Sequence, residues 1–241
     1  MDKKHSISAF FPVYKDEWTI EIMVERLREI LPKLTKDYEI IIIDDCSPDK
    51  SGEIADRLAR KYSFIKVIHH PVNIGYGGAL NSGFKTAAKE LVFYTDGDAQ
   101  YDVRELPRLY EYIDNFDVVS ARKIKRSDRF YRILVSKIYY GFIRFIFNIK
   151  VKDISGDFRL FHKYVLDKIK FESTSGTICL EMVKKIQNAG YSIKEVPISH
   201  YPRISGESSY FNIAGIYRTF KEILPLWWKL VVKRIFLSKR L

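Results

Sequence analysis

Asp96, Asp98 and Gln100 stand on alternate positions of the stretch YTDGDAQY (94–101), directly after the apolar run LVF. Such a concentration of side-chain oxygen serves one of two ends. Asp and Gly suit polar turns, in which an Asp oxygen accepts from nearby backbone N–H groups. The same oxygens also suit a hard divalent cation, Mg2+ or Mn2+, which prefers carboxylate and carbonyl ligands. More acids follow two other apolar runs: Asp16 comes after SISAFF, and Asp44 and Asp45 close YEIIIIDD.

The elements that must position these groups are legible in the first half of the chain. Strand candidates SISAFF, YEIIIID, FIKVIHH and LVFYTD alternate with helix candidates over 17–34, 51–62 and 77–89. Strands that read as continuous apolar runs, separated by helices, predict a parallel sheet covered on both faces. Ligands of such a sheet gather at the carboxyl ends of its strands. Pro12, Asp44, Asp45, Asp96 and Asp98 all fall there. The second half predicts a helix in VRELPRLYEYI, a strand in DVVSA and a long helix over 129–149. The stretch GDFRLF follows, then a helix over 177–189, a strand in SIKEVPI and a basic, aromatic C-terminal segment. On the long helix Arg132, Ser136, Tyr140, Arg144 and Asn148 recur every fourth residue, a polar stripe on an otherwise apolar cylinder.

The 241 residues suffice for a substantial core and predict one globular domain with an appendage. Cys46 and Cys179 lie far apart without a CxxC pair or a His cluster, which argues against a disulfide framework and structural zinc and fits a reducing, cytosolic setting. The N-terminal MDKKHSISAFFPVYKDE has no cleavage signal and predicts a mature start. No run approaches the roughly 20 apolar residues of a membrane span. A formal charge of +11 asks for an acidic partner: nucleic acid, anionic lipid or a phosphorylated substrate. Seven basic residues between Arg122 and Lys137 face only Asp128, and a second basic group from Lys221 onward is interleaved with Trp227, Trp228 and aliphatic residues. Charge mixed with tryptophan points to an anionic membrane surface rather than a nucleic-acid groove.

The glycine-rich NIGYGGALNSG follows a strand and opens a helix, as a dinucleotide fingerprint does. Counting G-x-G-x-x-G from Gly75 places Leu80 at the last position, which disfavours a nicotinamide or flavin. Gly75, Gly77, Gly78 and Gly83 fit a tight turn and close helix-strand packing instead. PVYKDE, IIDDCSPD and TDGDAQ then occur in order. They are followed by SAR ending at Arg122, RILVS over 132–136, DISGDFRLF from Asp153, Glu181, EVPI from Glu195 and RISGES from Arg203. This series resembles the family 2 glycosyltransferases of GT-A fold, and among them the dolichol-phosphate and polyprenyl-phosphate sugar synthases. It runs from Ser6 to about Phe211, so the expected organisation is a GT-A α/β domain over 1–211 and an amphipathic, membrane-facing tail over 212–241.

The resemblance implies roles residue by residue. Pro12, Tyr14, Asp16 and Asp44 would hold the base and ribose of a UDP- or GDP-linked sugar, with Asp45 supporting the turn. Asp96 would be a ribose or metal carboxylate, and Asp98 and Gln100 ligands of Mg2+ or Mn2+. Arg203 would clamp the diphosphate without the lysine that many relatives carry where this chain has Ser209. Asp157, in GDFRLF, would occupy a catalytic position. Arg122, Arg132 and Ser136 would bind the acceptor phosphate. The implied reaction is inverting transfer of a hexose-type sugar to a polyprenyl phosphate at the cytoplasmic membrane face. A phosphate monoester is largely a dianion at neutral pH and needs cations more than a general base. Transfer to a saccharide or protein hydroxyl is the alternative and would need Asp157 or Glu181 as base. A non-catalytic nucleotide-binding scaffold and a nucleic-acid module are weaker alternatives, the last for want of any recognition motif.

Overall fold

A strand whose neighbours on both faces are helices reads as a near-continuous apolar run, and β1 (Ile7–Val13) is buried throughout, its one polar side chain, Ser8, donating to Glu39 Oε1 (2.6 Å). Because successive side chains point to opposite faces, the strand divides its residues between two cores. Ile7, Ala9, Phe11 and Val13 pack with α1 (Ile20–Leu34) and α2 (Ser51–Lys61), whereas Phe10 packs on the other face with α3 (Tyr76–Thr86). On α1 the buried residues Ile20, Met23, Val24, Leu27, Ile30, Leu31 and Leu34 recur at helical spacing and form the stripe that meets the sheet. Each such side chain contributes on the order of 2 kcal/mol by leaving water.

The computed structural model describes residues 5–124, 130–202 and 221–233, without the side chains of 130–137. Among these residues a seven-stranded sheet forms in the order β3-β2-β1-β4-β6-β5-β7. β2 is Tyr38–Asp44, β3 Ile65–His69, β4 Leu91–Thr95, β5 Val118–Ile124, β6 Phe158–His162 and β7 Ile193–Ser199. The chain winds outward from β1 through β2 to β3, then returns to place β4 on the other side of β1. The crevice between the carboxyl ends of β1 and β4 is therefore the topological switch point. β6 runs antiparallel to both neighbours, β4 and β5, while β5 and β7 are parallel. The fold is thus α/β of GT-A type with a mixed, mostly parallel sheet, where the sequence predicts a parallel one.

Two further differences concern the helices. VRELPRLYEYI is divided into a 3-10 turn (Val103–Glu105), the short α4 (Leu106–Tyr110) and another 3-10 turn (Ile113–Asn115). Pro107 lacks the N–H that a continuous helix from Val103 would need. In the second half α5 (Phe130–Phe147), α6 (Lys163–Lys168) and α7 (Ile178–Asn188) complete the helices named along the chain. A last helix begins within the described residues at 221 and passes into a π-helical turn at Trp228–Val232. Its Ile223, Leu226 and Leu230 pack on Ile143 and Phe147 of α5 and Leu180 and Val183 of α7, and the Trp227 indole N–H donates to the Ile146 carbonyl (2.9 Å). One face of residues 221–233, within the expected amphipathic tail, thus belongs to the core. The glycines after β3 serve packing. A Cβ on Gly77 would stand 2.2 Å from the Ser173 carbonyl oxygen, and one on Gly83 2.2 Å from the Phe10 ring.

Candidate active site

The loops after β1 and β4 are stitched together at the switch point. Thr19 Oγ1 donates to the Gly97 carbonyl (2.6 Å), and a Cβ on Gly97 would meet the Pro12 carbonyl oxygen at 2.6 Å. Only glycine permits that approach. Tyr14 is 45% exposed beside this junction. Asp16 turns its carboxylate into its own loop, where Oδ2 accepts from the Tyr14 N–H (3.2 Å), and its N–H donates to Ser51 Oγ (3.1 Å).

Asp44 is buried at the end of β2, its Oδ1 accepting from the Ser47 N–H (3.0 Å) and its Oδ2 2.8 Å from His69 Nδ1. Asp45 clasps the glycine-rich loop: Oδ1 accepts from the Ile74 N–H and Oδ2 from the Gly75 N–H, both at 2.9 Å. His70 Nδ1 adds a contact of 2.7 Å to Asp45 Oδ1. The loop in turn presents Tyr76, whose hydroxyl donates to Asp96 Oδ1 (2.7 Å). Burial, with Asp157 and Asp96 nearby, pushes the Tyr76 phenol well up, so it remains a donor.

Asp96 and Asp98 follow β4. Asp98 Oδ1 accepts from the Gln100 N–H (3.1 Å), and Ala99 between them has φ 57°, a left-handed turn that folds the acids back over the strand ends. The Gln100 side-chain amide donates to the Tyr201 carbonyl (3.2 Å) and so is drawn away toward the residues after β7. Asp157 reaches the site because β6 is reversed. The register pairs Thr95 with Phe158, so the next position outward sets Asp96 opposite Asp157. Burial, then Asp157 and Asp98, push the Asp96 carboxyl well above the ordinary carboxylate range. Three acids in one crevice form a site of strong negative potential, which a cation relieves.

The donor set is oxygen only, as Mg2+ or Mn2+ prefers. Among the described residues no three His, Cys, Asp or Glu side chains form a protein-only metal cage. A Mg2+-like ion takes one or two carboxylates from the protein and the rest of its ligands from substrate phosphates and water.

Beneath the acids lies a floor that sequence reasoning did not single out. Cys179 of α7 donates its thiol to Asp157 Oδ1 (3.0 Å), and burial followed by the Asp157 charge pushes that thiol well up. Arg159, 1% exposed, donates to Ser120 Oγ (3.1 Å) and the Ile154 carbonyl (2.6 Å). Its charge lies within electrostatic range of Asp157 and offsets part of the acids' repulsion. Lys123, beside the expected acceptor contact Arg122, donates to the Ser155 carbonyl (2.9 Å) and partly counters the rise at Asp96. The only sequence signal for Arg159 is a charge inside an apolar strand.

The remaining expected residues divide. Arg122 is half-buried near the end of β5. Arg132 and Ser136 lie on α5, but their side chains are outside the described residues, as are Arg203 and Ser209 altogether. Glu181, the alternative base, is 1% exposed and accepts from the Glu172 and Ser173 N–H groups and from Lys185. Burial raises its carboxyl, but Lys185 and Ser173 outweigh that and hold it below the usual range. Glu181 is a structural anchor.

Comparison with known proteins bears on the family and the fold. The profile of Glycosyl transferase family 2 matches residues 8–170. The chain is 28% identical over 245 residues to Glycosyltransferase AglD of Haloferax volcanii, covering 94% of this chain and 38% of the relative. It is 28% identical over 206 residues to the undecaprenyl-phosphate 4-deoxy-4-formamido-L-arabinose transferase of Aeromonas hydrophila, covering 85% of this chain and 62% of the relative. The chain thus spans between about two fifths and three fifths of the length of these relatives. The crystal structure of glucosyl-3-phosphoglycerate synthase from Mycobacterium tuberculosis with Mn2+, UDP and phosphoglyceric acid shares the fold with a TM-score of 0.72 at 16% identity, over 93% of this chain and 79% of that one. The mannosyltransferase PcManGT from Pyrobaculum calidifontis, in complex with GDP-Man and Mn2+, gives 0.67 at 19% identity, over 87% and 60%.

Proposed function

The chain belongs to glycosyl transferase family 2, and from that premise we propose that it transfers a sugar from a nucleoside diphosphate to a polyprenyl phosphate, with inversion at the anomeric carbon. The observation that carries this reading is the meeting of Asp96, Asp98 and Asp157 at the switch point between β1 and β4. Asp96 and Asp98 would hold Mg2+ or Mn2+, and Gln100 would join them on release of its contact with Tyr201. The cation, when bound, supplies charge neutralisation at the departing nucleoside diphosphate. Pro12, Tyr14, Asp16 and Asp44 border the crevice on the β1 and β2 side and would cradle base and ribose, with Arg203 on the diphosphate.

Two observations favour a phosphate acceptor over a hydroxyl. Glu181 is committed to the backbone and to Lys185, which leaves it unsuited to take a proton. Asp157 accepts from the Cys179 thiol, and beside Asp96 it would orient the acceptor or the sugar. A phosphate dianion attacks without a base, and Arg122, with Arg132 and Ser136, would receive it.

A lipid acceptor requires access from a bilayer. Among the described residues no helix is long and apolar enough to cross a membrane. Ile138, Phe142 and Phe145 are exposed at spacings of four and three on α5, and Leu224 and Trp228, four apart on the helix packed against it, are exposed as well. These side chains would rest in the headgroup region and hold the protein peripherally at the cytoplasmic face, with basic residues drawn to anionic lipid. The test is a screen of UDP- and GDP-sugars with a short-chain polyprenyl phosphate and Mg2+ or Mn2+. Lipid-linked sugar is the expected product. Turnover with saccharide or protein acceptors but not with the lipid would overturn the acceptor assignment.

A further inference from the structure

β2 and β3 run parallel with Asp44 in register beside His69, so two consecutive acids meet two consecutive imidazoles. The two pairs differ. His70 Nδ1 lies 2.7 Å from Asp45 Oδ1 and its Nε2 2.8 Å from Ser82 Oγ. A hydroxyl donates or accepts, so a ring with one proton satisfies both contacts. His69 Nδ1 lies 2.8 Å from Asp44 Oδ2, and its Nε2 lies 3.0 Å from Asp56 Oδ1. An ionised carboxylate only accepts, so both contacts are hydrogen bonds only when the ring carries two protons. Space for the clasp is reserved at Gly52, where a Cβ would stand 2.9 Å from Asp44 Oδ2 and 3.5 Å from His69 Cε1.

We propose that His69 is a positioning residue for the sugar donor: as an imidazolium clamped between Asp56 and Asp44, it fixes the Asp44 carboxylate in the orientation that accepts from the base or ribose. This rests on the reading of Asp44 as a donor contact. Asp56 of α2 and Asp44 of β2 are the charged groups that face the ring among the described residues. The bond to Asp56 raises the ring's proton affinity first, burial lowers it, and Asp44 adds a second rise, with a net rise above the ordinary imidazole value. The direction follows: the clamp is complete below about pH 6.5 and is lost as pH climbs through the raised value. The neutral ring has one N–H. It then turns a lone pair toward one of the two carboxylates, and the ring that positions Asp44 is no longer held from both sides.

The test is nucleotide titration by calorimetry, using UDP and GDP with Mg2+ from about pH 6 to about pH 9, on wild type, Asp56→Asn and His69→Gln. Wild type should weaken about fivefold across this range, a change expressed in the donor KM and not in kcat. Asp56→Asn removes an exposed carboxylate and should move the fall to lower pH. Glutamine does not titrate, so the fall with rising pH should be absent from His69→Gln, whose remaining pH dependence is that of Asp96 and the nucleotide itself. Ring resonances of labelled histidine, assigned with the His69→Gln variant, should titrate at the same midpoint as nucleotide affinity. A wild-type profile that matches that of His69→Gln, or a fall that Asp56→Asn leaves in place, overturns the proposal while leaving the transferase reading intact. Failure of both nucleotides to bind at any pH overturns the two together.

Discussion

Replacing Tyr76 by phenylalanine removes one hydroxyl and, with it, the 2.7 Å hydrogen bond to Asp96 Oδ1. Its cost depends on what Asp96 carries. Without a cation, burial and the charges of Asp157 and Asp98 push the Asp96 carboxyl well up, so the acid takes a proton readily. The lost bond then joins neutral groups, worth about 0.5–1.5 kcal/mol. With a cation in place Asp96 must be ionised, and a hydrogen bond to a charged group is worth about 1.5–3 kcal/mol. The difference, about 1–1.5 kcal/mol, falls on binding: cation-dependent nucleotide affinity should drop by about 5–12-fold, at the low end of the range of about 10–100-fold found for residues that support metal ligands. The assay pairs Mn2+ titration in the presence of UDP or GDP with thermal denaturation of the cation-free protein. Unchanged affinity, or a loss of cation-free stability that accounts for the whole effect, refutes the placement of Asp96 at the metal.

Glu39 should set part of the acid limit of the fold. Burial raises its carboxyl, but Lys66, Ser8 Oγ and the Ala88 N–H outweigh that and hold it below the usual range. Its stabilisation is present above about pH 4.3 and lost as pH falls through the depressed value. Glu39→Gln should therefore cost about 1–3 kcal/mol at neutral pH and flatten the acid limb of a denaturant series. Gly83→Ala drives a methyl group into the Phe10 ring, which Phe84 and Tyr94 already wedge at 5.2 and 5.7 Å. A loss of about 2 kcal/mol is expected, or roughly 4–8 °C in Tm, and an unchanged Tm would count against the packing of α3 on β1. Phe142→Ser with Trp228→Ser should reduce co-sedimentation with anionic vesicles at every salt concentration while sparing nucleotide binding. Equal sedimentation would remove the two-helix face as the membrane contact.

The sequence by itself determined the order and kind of most elements, because a buried strand and an amphipathic helix are each written in local periodicity. It also placed Pro12, Asp44, Asp96 and Asp98 at strand ends, since motif and strand are contiguous in the chain. The direction of β6 was not legible: FRLFH is five residues, and such a run reads alike whichever way it lies. Only the assembled sheet reverses it and brings Asp157 opposite Asp96, which converts a loop residue into a member of the site. The clamp of His69 on Asp44 and Asp56, the floor of Cys179 and Arg159, and the seating of residues 221–233 on α5 and α7 share that origin. Each joins residues separated along the chain, and their contact depends on strand order and helix placement. Those are decided by which apolar faces cover one another best, a property of the whole core that no local pattern records.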